Sequence, residues 1–467
     1  METTQSQQNC QLKSDPQSRI YVVHFIKKQK YIDFAKNELE ALAEMFGVKT
    51  QELYVYPEKV INIDIDPMIY VYLPSEEIAK NIVKRSVMIQ EILLEFAAGD
   101  GHEDMHKNID IEFLRPYFEG EKTMRIDVEN LGQTIQQKQK VEIIEKLAFL
   151  PYLAKVNLRR PDQVMKIIEN SLTGRVHFGI QIQSNRKDKE TFYHHYKLRS
   201  RPYLGPTSTE VQLAFLMANQ GQVKENDFVF DPFVGTGSIA LACSYFKCFQ
   251  YGTDLDYRVV HGTAVGRLNQ NADKRFDKKA NKEVNIFTNF DFYGFRRPEI
   301  VIMDVASMSQ QMKVHTPFFD SIICDPPYGV RAKSQQIGVR DKKMERYSNK
   351  KLREEDAKNA QSQVQNDTVE KNDQQDLDEQ EEDEEYIHYS MMKQYDVQKL
   401  YFDLLDQASK LLRPGGRVVY LFHTDQSLPE EKNKFPEHPD FYFKCSSINN
   451  LTKCRARHLI TMIRKTE

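Results

Sequence analysis

Hydrophobic spacing divides the chain into two regions with different rhythms. From about 20 to 197, strand-like apolar runs at 20–26, 68–73, 124–128 and 176–182 are mixed with stretches at 34–45 and 77–94 whose apolar residues recur at helical spacing. That irregular mixture predicts an α+β region. Beyond 198 the units alternate: helix 211–220, strand 228–230, helix 238–246, strand 249–253, helix 257–271, then strands 300–303 and 319–324. Alternation of this kind predicts a mostly parallel sheet with helices on both faces. A helix over 395–412, the turn Arg413-Pro-Gly-Gly416, a strand over 417–422 and closing strands at 441–445 and 459–463 complete it.

Two stretches carry no apolar period. Residues 1–18 are polar and rich in Gln and Ser and read as a disordered tail, while 340–385 is basic and then acidic, a disordered insertion with nothing to bury. Between 367 and 385 stand 11 acidic residues and one basic, a local charge of −10, so the chain's −3 becomes +7 over the rest. A mildly basic remainder permits a polyanionic partner such as nucleic acid without demanding one. Pro202, Gly205 and Pro206, with Lys197, Arg199 and Arg201 close by, mark a junction between a 19–197 region and a 198–467 domain interrupted by 340–385. The 467 residues exceed the ~250–300 at which one core stops growing, so more than one domain is required.

No run reaches the ~18 consecutive apolar residues of a membrane span, and the polar N-terminus lacks a signal-peptide pattern, so we expect a cytoplasmic protein with no membrane association. The six cysteines include no C-x-x-C pair, which argues against a disulfide framework or a metal site in this chain.

Chemistry concentrates at the ends of predicted strands. Asp231, Pro232, Gly235 and Gly237 form a turn between strand 228–230 and helix 238–246, where glycines admit a ligand close to the backbone and a helix start offers free N–H donors. A phosphate loop would need Gly-Lys-Ser/Thr, and a dinucleotide turn a third glycine where Ala240 stands. Asp254, 23 residues after Asp231, closes the next strand and is placed to accept hydrogen bonds from ribose hydroxyls, with Asp256 a second candidate. A nucleoside without phosphates fits this pattern best.

The second constellation, Asp325, Pro326, Pro327 and Tyr328, directly follows strand 319–324 and so lies at the carboxyl edge of the predicted sheet. Two prolines stiffen the turn and leave carbonyl acceptors without competing N–H donors. Such acceptors suit an exocyclic amine on a nucleobase, and Tyr328 offers a stacking face. Asp304, at the end of strand 300–303, reads on its own as a simple helix or turn cap, and Ser208 or Thr209 as a cap of helix 211–220. Arg159, Arg160, Arg199 and Arg201 are candidate phosphate contacts, with plain solvated side chains as the alternative.

Together these residues resemble the cofactor loop, ribose acid and catalytic motif of class I S-adenosyl-L-methionine-dependent amino-methyltransferases. The runs 203–210, 325–331 and 147–162 more narrowly resemble the catalytic subunit of eukaryotic tRNA guanosine-10 N2-methyltransferases. The resemblance implies a Rossmann-like methyltransferase domain with a mostly parallel seven-stranded sheet, preceded by an α+β ferredoxin-like and THUMP region that grips tRNA. It implies cofactor contacts from Thr207, Ser208, Asp231, Pro232, Gly235, Gly237, Asp254, Asp256 and Asp304, with Asp304 reaching an adenine amine and 207–210 folding over the cofactor, and chemistry from Asp325 to Tyr328. It also implies a heterodimer with a small zinc-binding activator subunit, for which strand 300–303 would be the docking edge. Two alternatives remain open: an amino-methyltransferase acting on DNA adenine or cytosine or on protein glutamine, and a non-catalytic RNA-binding subunit on a methyltransferase fold.

Overall fold

The computed structural model describes residues 19–27, 30–57, 62–151, 154–185, 191–205, 208–263, 267–279, 283–312, 316–328, 334–337 and 392–466. The expected tail 1–18, the insertion 340–385 and Thr207 lie outside these residues.

The first region is built on a six-stranded sheet from β1 (Arg19–Phe25), β2 (Met68–Leu73), β3 (Ile89–Asp100), β4 (Met124–Leu131), β5 (Gln163–Asn170) and β6 (Arg175–Ser184), in the order β2-β1-β3-β6-β5-β4. All neighbours are antiparallel except β4 and β5. The expected helix over 77–94 is not one element. A helix covers Glu76–Arg85, and β3 begins at Ile89. The break has a tertiary cause: the buried Glu38 carboxylate accepts Ser86 Oγ (2.6 Å) and the backbone N–H groups of Val87 (2.8 Å) and Met88 (2.9 Å), which ends the helix. Carboxylate acceptors at free backbone donors compete directly with further helical bonds.

The second region begins with β7 (Tyr203–Leu204), followed by β8 (Phe228–Asp231), β9 (Phe249–Asp254), β10 (Arg267–Leu268), β11 (Glu299–Ile302), β12 (Phe319–Cys324), β13 (Gln335–Ile337), β14 (Met392–Gln394), β15 (Leu412–Asp425), β16 (Phe441–Asn450) and β17 (Arg455–Arg464). Seven of these form one sheet in the order β11-β9-β8-β12-β15-β17-β16, with β11 to β15 parallel and β17 and β16 antiparallel at the far side. This is a Rossmann-like sheet whose strand order reverses between β8 and β12. The Pro-Gly-Gly turn is a bulge inside β15: Phe319 pairs with Leu412 and Ser321 with Arg417, so 413–416 loop out opposite one residue. The expected helix 257–271 stops at His261, because Gly262 takes φ +74° and Arg267–Leu268 leaves to pair with Tyr203–Leu204. A side chain at Gly262 would meet the Val284 carbonyl.

The regions share one core, where helix Ala35–Met45 packs on helix Val211–Gln220. Asn37 Nδ2 donates to the Ser446 carbonyl (3.0 Å) and Ser447 Oγ (2.7 Å), so the first region covers the β16 side of the sheet. The β11 edge is bare in comparison, with Val301 53% and Ile302 40% exposed. No helix among the described residues is long and apolar enough to cross a membrane.

Candidate active site

Three parallel strands end side by side in carboxylates. Asp231 closes β8, Asp254 closes β9, and Asp325 follows β12. Asp231 is buried; Oδ1 accepts the Phe233 N–H at 3.0 Å, while Oδ2 is buried without a hydrogen-bond partner. Burial, with the charges of Asp254 and Asp325 behind it, pushes the Asp231 carboxyl well above the ordinary carboxylate range. Asp254 is raised as well, again mainly by burial, although it accepts backbone N–H groups from Gly235 (2.8 Å) and Asp256 (2.8 Å).

The glycine turn separates two roles. Gly235 sits at φ +51°, with nothing but the Phe233 carbonyl, at 3.9 Å, near the place its Cβ would occupy. Gly237 sits at φ +78°, and there a Cβ would meet Ile286 at 2.9 Å. The first glycine therefore opens onto free space, and the second lets a helix pack closely. Pro232 contributes a carbonyl that accepts Thr253 Oγ1 at 3.0 Å.

Ser208 lies against this turn, and Thr209 against Asp325. Ser208 Oγ is 2.8 Å from Thr236 Oγ1, and Thr209 Oγ1 donates to Asp325 Oδ2 at 3.3 Å. The other Asp325 oxygen is buried without a partner, and burial raises this carboxyl to about 6, with Arg457 and the Thr209 hydroxyl pulling the other way. Tyr328 stacks on His423 at 3.9 Å between ring centroids. Burial, with the Arg457 charge, lowers His423 to about 4, so that its ring is neutral near pH 7.

Other expected site residues are engaged elsewhere. Asp256 caps helix Tyr257–His261 by accepting the Arg258 N–H (2.9 Å) and pairs with the Arg258 guanidinium (2.8 Å). Asp304 accepts the Ala306 N–H (3.0 Å) and the Ile337 N–H (2.7 Å). Arg201 is 1% exposed and donates to the Tyr196 carbonyl (3.0 Å) and Ser238 Oγ (2.8 Å), which removes it from the candidate phosphate contacts. Arg159, Arg160 and Arg199 are exposed.

Sequence reasoning missed His423 and Arg457. His423 had a weak signal, as a polar residue after the apolar run of β15; Arg457 had none, because β17 reaches the site only by pairing back along β15.

The residues fit a methionine nucleoside: an open glycine, a strand-ending carboxylate, orphaned buried oxygens and a stiff proline turn next to them. The chain is similar to several known proteins. Residues 19–185 match a family described as the Tmrp11 THUMP N-terminal domain. The chain is 29% identical over 453 residues to the tRNA (guanine(10)-N(2))-methyltransferase TRMT11 of Homo sapiens, a likeness covering 93% of this chain and 86% of that one. It is 28% identical over 473 residues to the protein of the same name from Dictyostelium discoideum, covering 95% and 81%. Among solved structures, TrmN from Thermus thermophilus is similar at a TM-score of 0.37 and 16% identity, over 96% of this chain and 100% of that one.

Proposed function

We infer, from a likeness that runs nearly the length of the chain to tRNA (guanine(10)-N(2))-methyltransferases, that this protein is a methyltransferase of that kind, moving a methyl group from S-adenosyl-L-methionine to the exocyclic N2 amine of guanosine 10 in tRNA. The observation that carries the reading is the Asp325-Pro-Pro-Tyr328 turn beside the Asp231 and Asp254 carboxylates, with a buried Asp325 oxygen free to accept a hydrogen bond.

Gly235 and the 208–210 segment would hold the methionine end of the cofactor, and the Asp254 carboxylate its ribose. When bound, S-adenosyl-L-methionine supplies an electrophilic methyl on a sulfonium. The exocyclic amine is a poor nucleophile because its lone pair is delocalised into the ring. Asp325 accepts one N–H of that amine and the Pro326 carbonyl the other, which localises the lone pair and fixes the angle of attack. Asp325 Oδ1 is shielded from water, so it acts at low effective dielectric. The Asp325 carboxylate is also the nearest acceptor for the proton that leaves as the amine becomes alkylated. Tyr328, held flat by His423, supplies the face on which the base stacks.

The 19–197 region would grip tRNA away from the site, since base chemistry alone does not position so large a substrate. The β11 edge would receive the zinc-binding activator subunit by strand addition, which covers Val301 and Ile302 and satisfies the open backbone. Because the substrate is tRNA, we place the enzyme in the cytoplasm. Nucleoside mass spectrometry of tRNA from cells lacking the protein tests the reaction: loss of N2-methylguanosine at position 10 alone is expected, and unchanged N2-methylguanosine overturns it. Co-expression with the activator should convert aggregated or inactive chain into a soluble heterodimer, and Val301→Lys should prevent this. Monodisperse, fully active protein without a partner overturns that part.

A further inference from the structure

One cation at the mouth of the site has no part in the mechanism above. Arg457 lies on β17 directly opposite His423 in the β15–β17 ladder, and opposite Asn449 on β16. Opposed residues of an antiparallel ladder project to the same face, so the guanidinium and the His423 ring lie side by side, with Tyr328 stacked on the histidine. Arg457 Nη2 donates a hydrogen bond to Asn449 Oδ1 at 3.3 Å, and the Tyr31 hydroxyl lies alongside. Nε is buried without a partner.

Asp325 presents the matching deficit, a buried Oδ1 with no hydrogen-bond partner among the described residues. Arg457 and Asp325 feel each other's charge without forming an ion pair among the described residues. An arginine and an aspartate that sense each other's charge without pairing leave one donor and one acceptor for a group that carries both. Buried polar atoms of this kind are normally satisfied, and when the protein does not satisfy them a ligand is the natural candidate. A guanine edge has the required order: the N2 and N1 hydrogens donate, and O6 accepts.

We propose that Arg457 determines base specificity, donating to O6 of the target guanine while Asp325 accepts from its amine. The inference deepens the guanosine reading above and rests on it. Asp325 alone takes any exocyclic amine, whereas the pair demands an acceptor at a fixed distance from that amine. Adenine carries a C–H where guanine carries O6 and so offers Arg457 Nε no acceptor; cytosine keeps a carbonyl there, its O2, so the pair separates guanine from adenine. Sites that hydrogen-bond a substrate group reject analogues lacking it far more strongly than apolar pockets reject a missing methylene.

The test uses the full-length chain co-expressed with the activator subunit, and tRNA carrying either guanine or 6-thioguanine at position 10. Thioguanine keeps the N1 and N2 hydrogens and replaces O6 with a weak acceptor. We expect wild type to prefer guanine by about 10-fold in kcat/KM, Arg457→Gln to lose about 10²-fold on guanine, and its preference to fall close to 1. Arg457→Lys keeps a donor and should recover part of both. S-adenosyl-L-methionine affinity should be unchanged in both variants, which separates this role from general damage to the fold. A preference that persists unchanged in Arg457→Gln and Arg457→Lys overturns the proposal and leaves the guanosine reading standing. Wild-type protein that methylates neither tRNA overturns that reading and this proposal with it.

Discussion

Each of the two sheets buries carboxylates, and they do so in opposite ways. In the first sheet Glu91 is 1% exposed and surrounded by donors: Lys166 Nζ at 2.7 Å, His24 Nδ1 at 3.1 Å, Gln90 Nε2 at 3.3 Å, and the Gln181 amide. Lys166 reaches on to Glu129 at 2.9 Å. Burial alone would raise the Glu91 carboxyl, but the bond from His24 and the charge of Lys166 win and hold it below the ordinary range. In the second sheet Asp231, Asp254 and Asp325 crowd together with few donors, and all three are raised. A buried carboxylate that the protein satisfies fixes structure, and one it leaves unsatisfied is held for something that arrives later. The first costs nothing at neutral pH once formed; the second is a standing strain that a ligand relieves.

That contrast can be broken at either end. The largest effect is expected at the satisfied end: Glu91→Gln leaves Lys166 buried without its main counter-charge, and removing one partner of such a pair costs about 3–5 kcal/mol. Denaturant unfolding at pH 7 checks it. Because the Glu91 carboxyl is depressed in the folded state, its contribution is present above its unfolded value near 4.5 and disappears as pH falls through the lower folded value. The gap between Glu91→Gln and wild type should therefore close in acid, and a constant gap would show that the charge is not what matters.

At the unsatisfied end, Asp325→Ala should reduce kcat by about 10²-fold or more while S-adenosyl-L-methionine affinity stays nearly unchanged. Single-turnover assays with saturating tRNA measure it, and near-normal turnover would remove Asp325 from the chemistry. Stability should respond in the opposite sense to the Glu91 case. A carboxyl raised from 3.8 to about 6 is relatively stable when protonated and loses that advantage as pH rises through about 6. Asp325→Asn should then raise the thermal midpoint by a few degrees at pH 8, corresponding to at most about 3 kcal/mol, with the benefit fading toward pH 4.

The same carboxyl sets the acidic limb of the rate. kcat/KM should climb about tenfold per pH unit below about 6 and level off above it, and Asp325→Asn should abolish that limb. The smallest effect is expected from Thr209→Val. Losing the 3.3 Å bond from Thr209 Oγ1 removes a donor that favours the ionised form, so the limb should move to higher pH with little change in the plateau. A shift to lower pH would mean that Thr209 contacts Asp325 in some other way.

Much of this was legible in the chain, and the part that was not has a common cause. The strand-helix alternation, the glycine turn after β8 and the Asp325-Pro-Pro-Tyr328 turn after β12 are local patterns, written in residues that neighbour each other, so sequence alone was enough to place them at strand ends. The helix expected over 77–94 failed because a side chain 48 residues upstream, Glu38, captures the chain at Ser86. Local periodicity carries no record of such a partner. Asp256 is held by the Arg258 N–H and guanidinium, and Asp304 by the Ala306 and Ile337 N–H groups; such partners depend on how the following chain folds back.

By itself the sequence determined that there are two differently patterned regions, which residues end the parallel strands, and what kind of chemistry those residues favour. Only the tertiary structure decided that Asp231 and Asp325 each keep an oxygen without a partner among the described residues while Asp254 is satisfied by backbone N–H groups. It alone brought His423 under Tyr328 and Arg457 beside His423. The reason is physical: a side chain's type fixes what it can bond, but in a folded chain burial and the strand ladder fix whether the bond is already made, and both are set by residues far away in sequence.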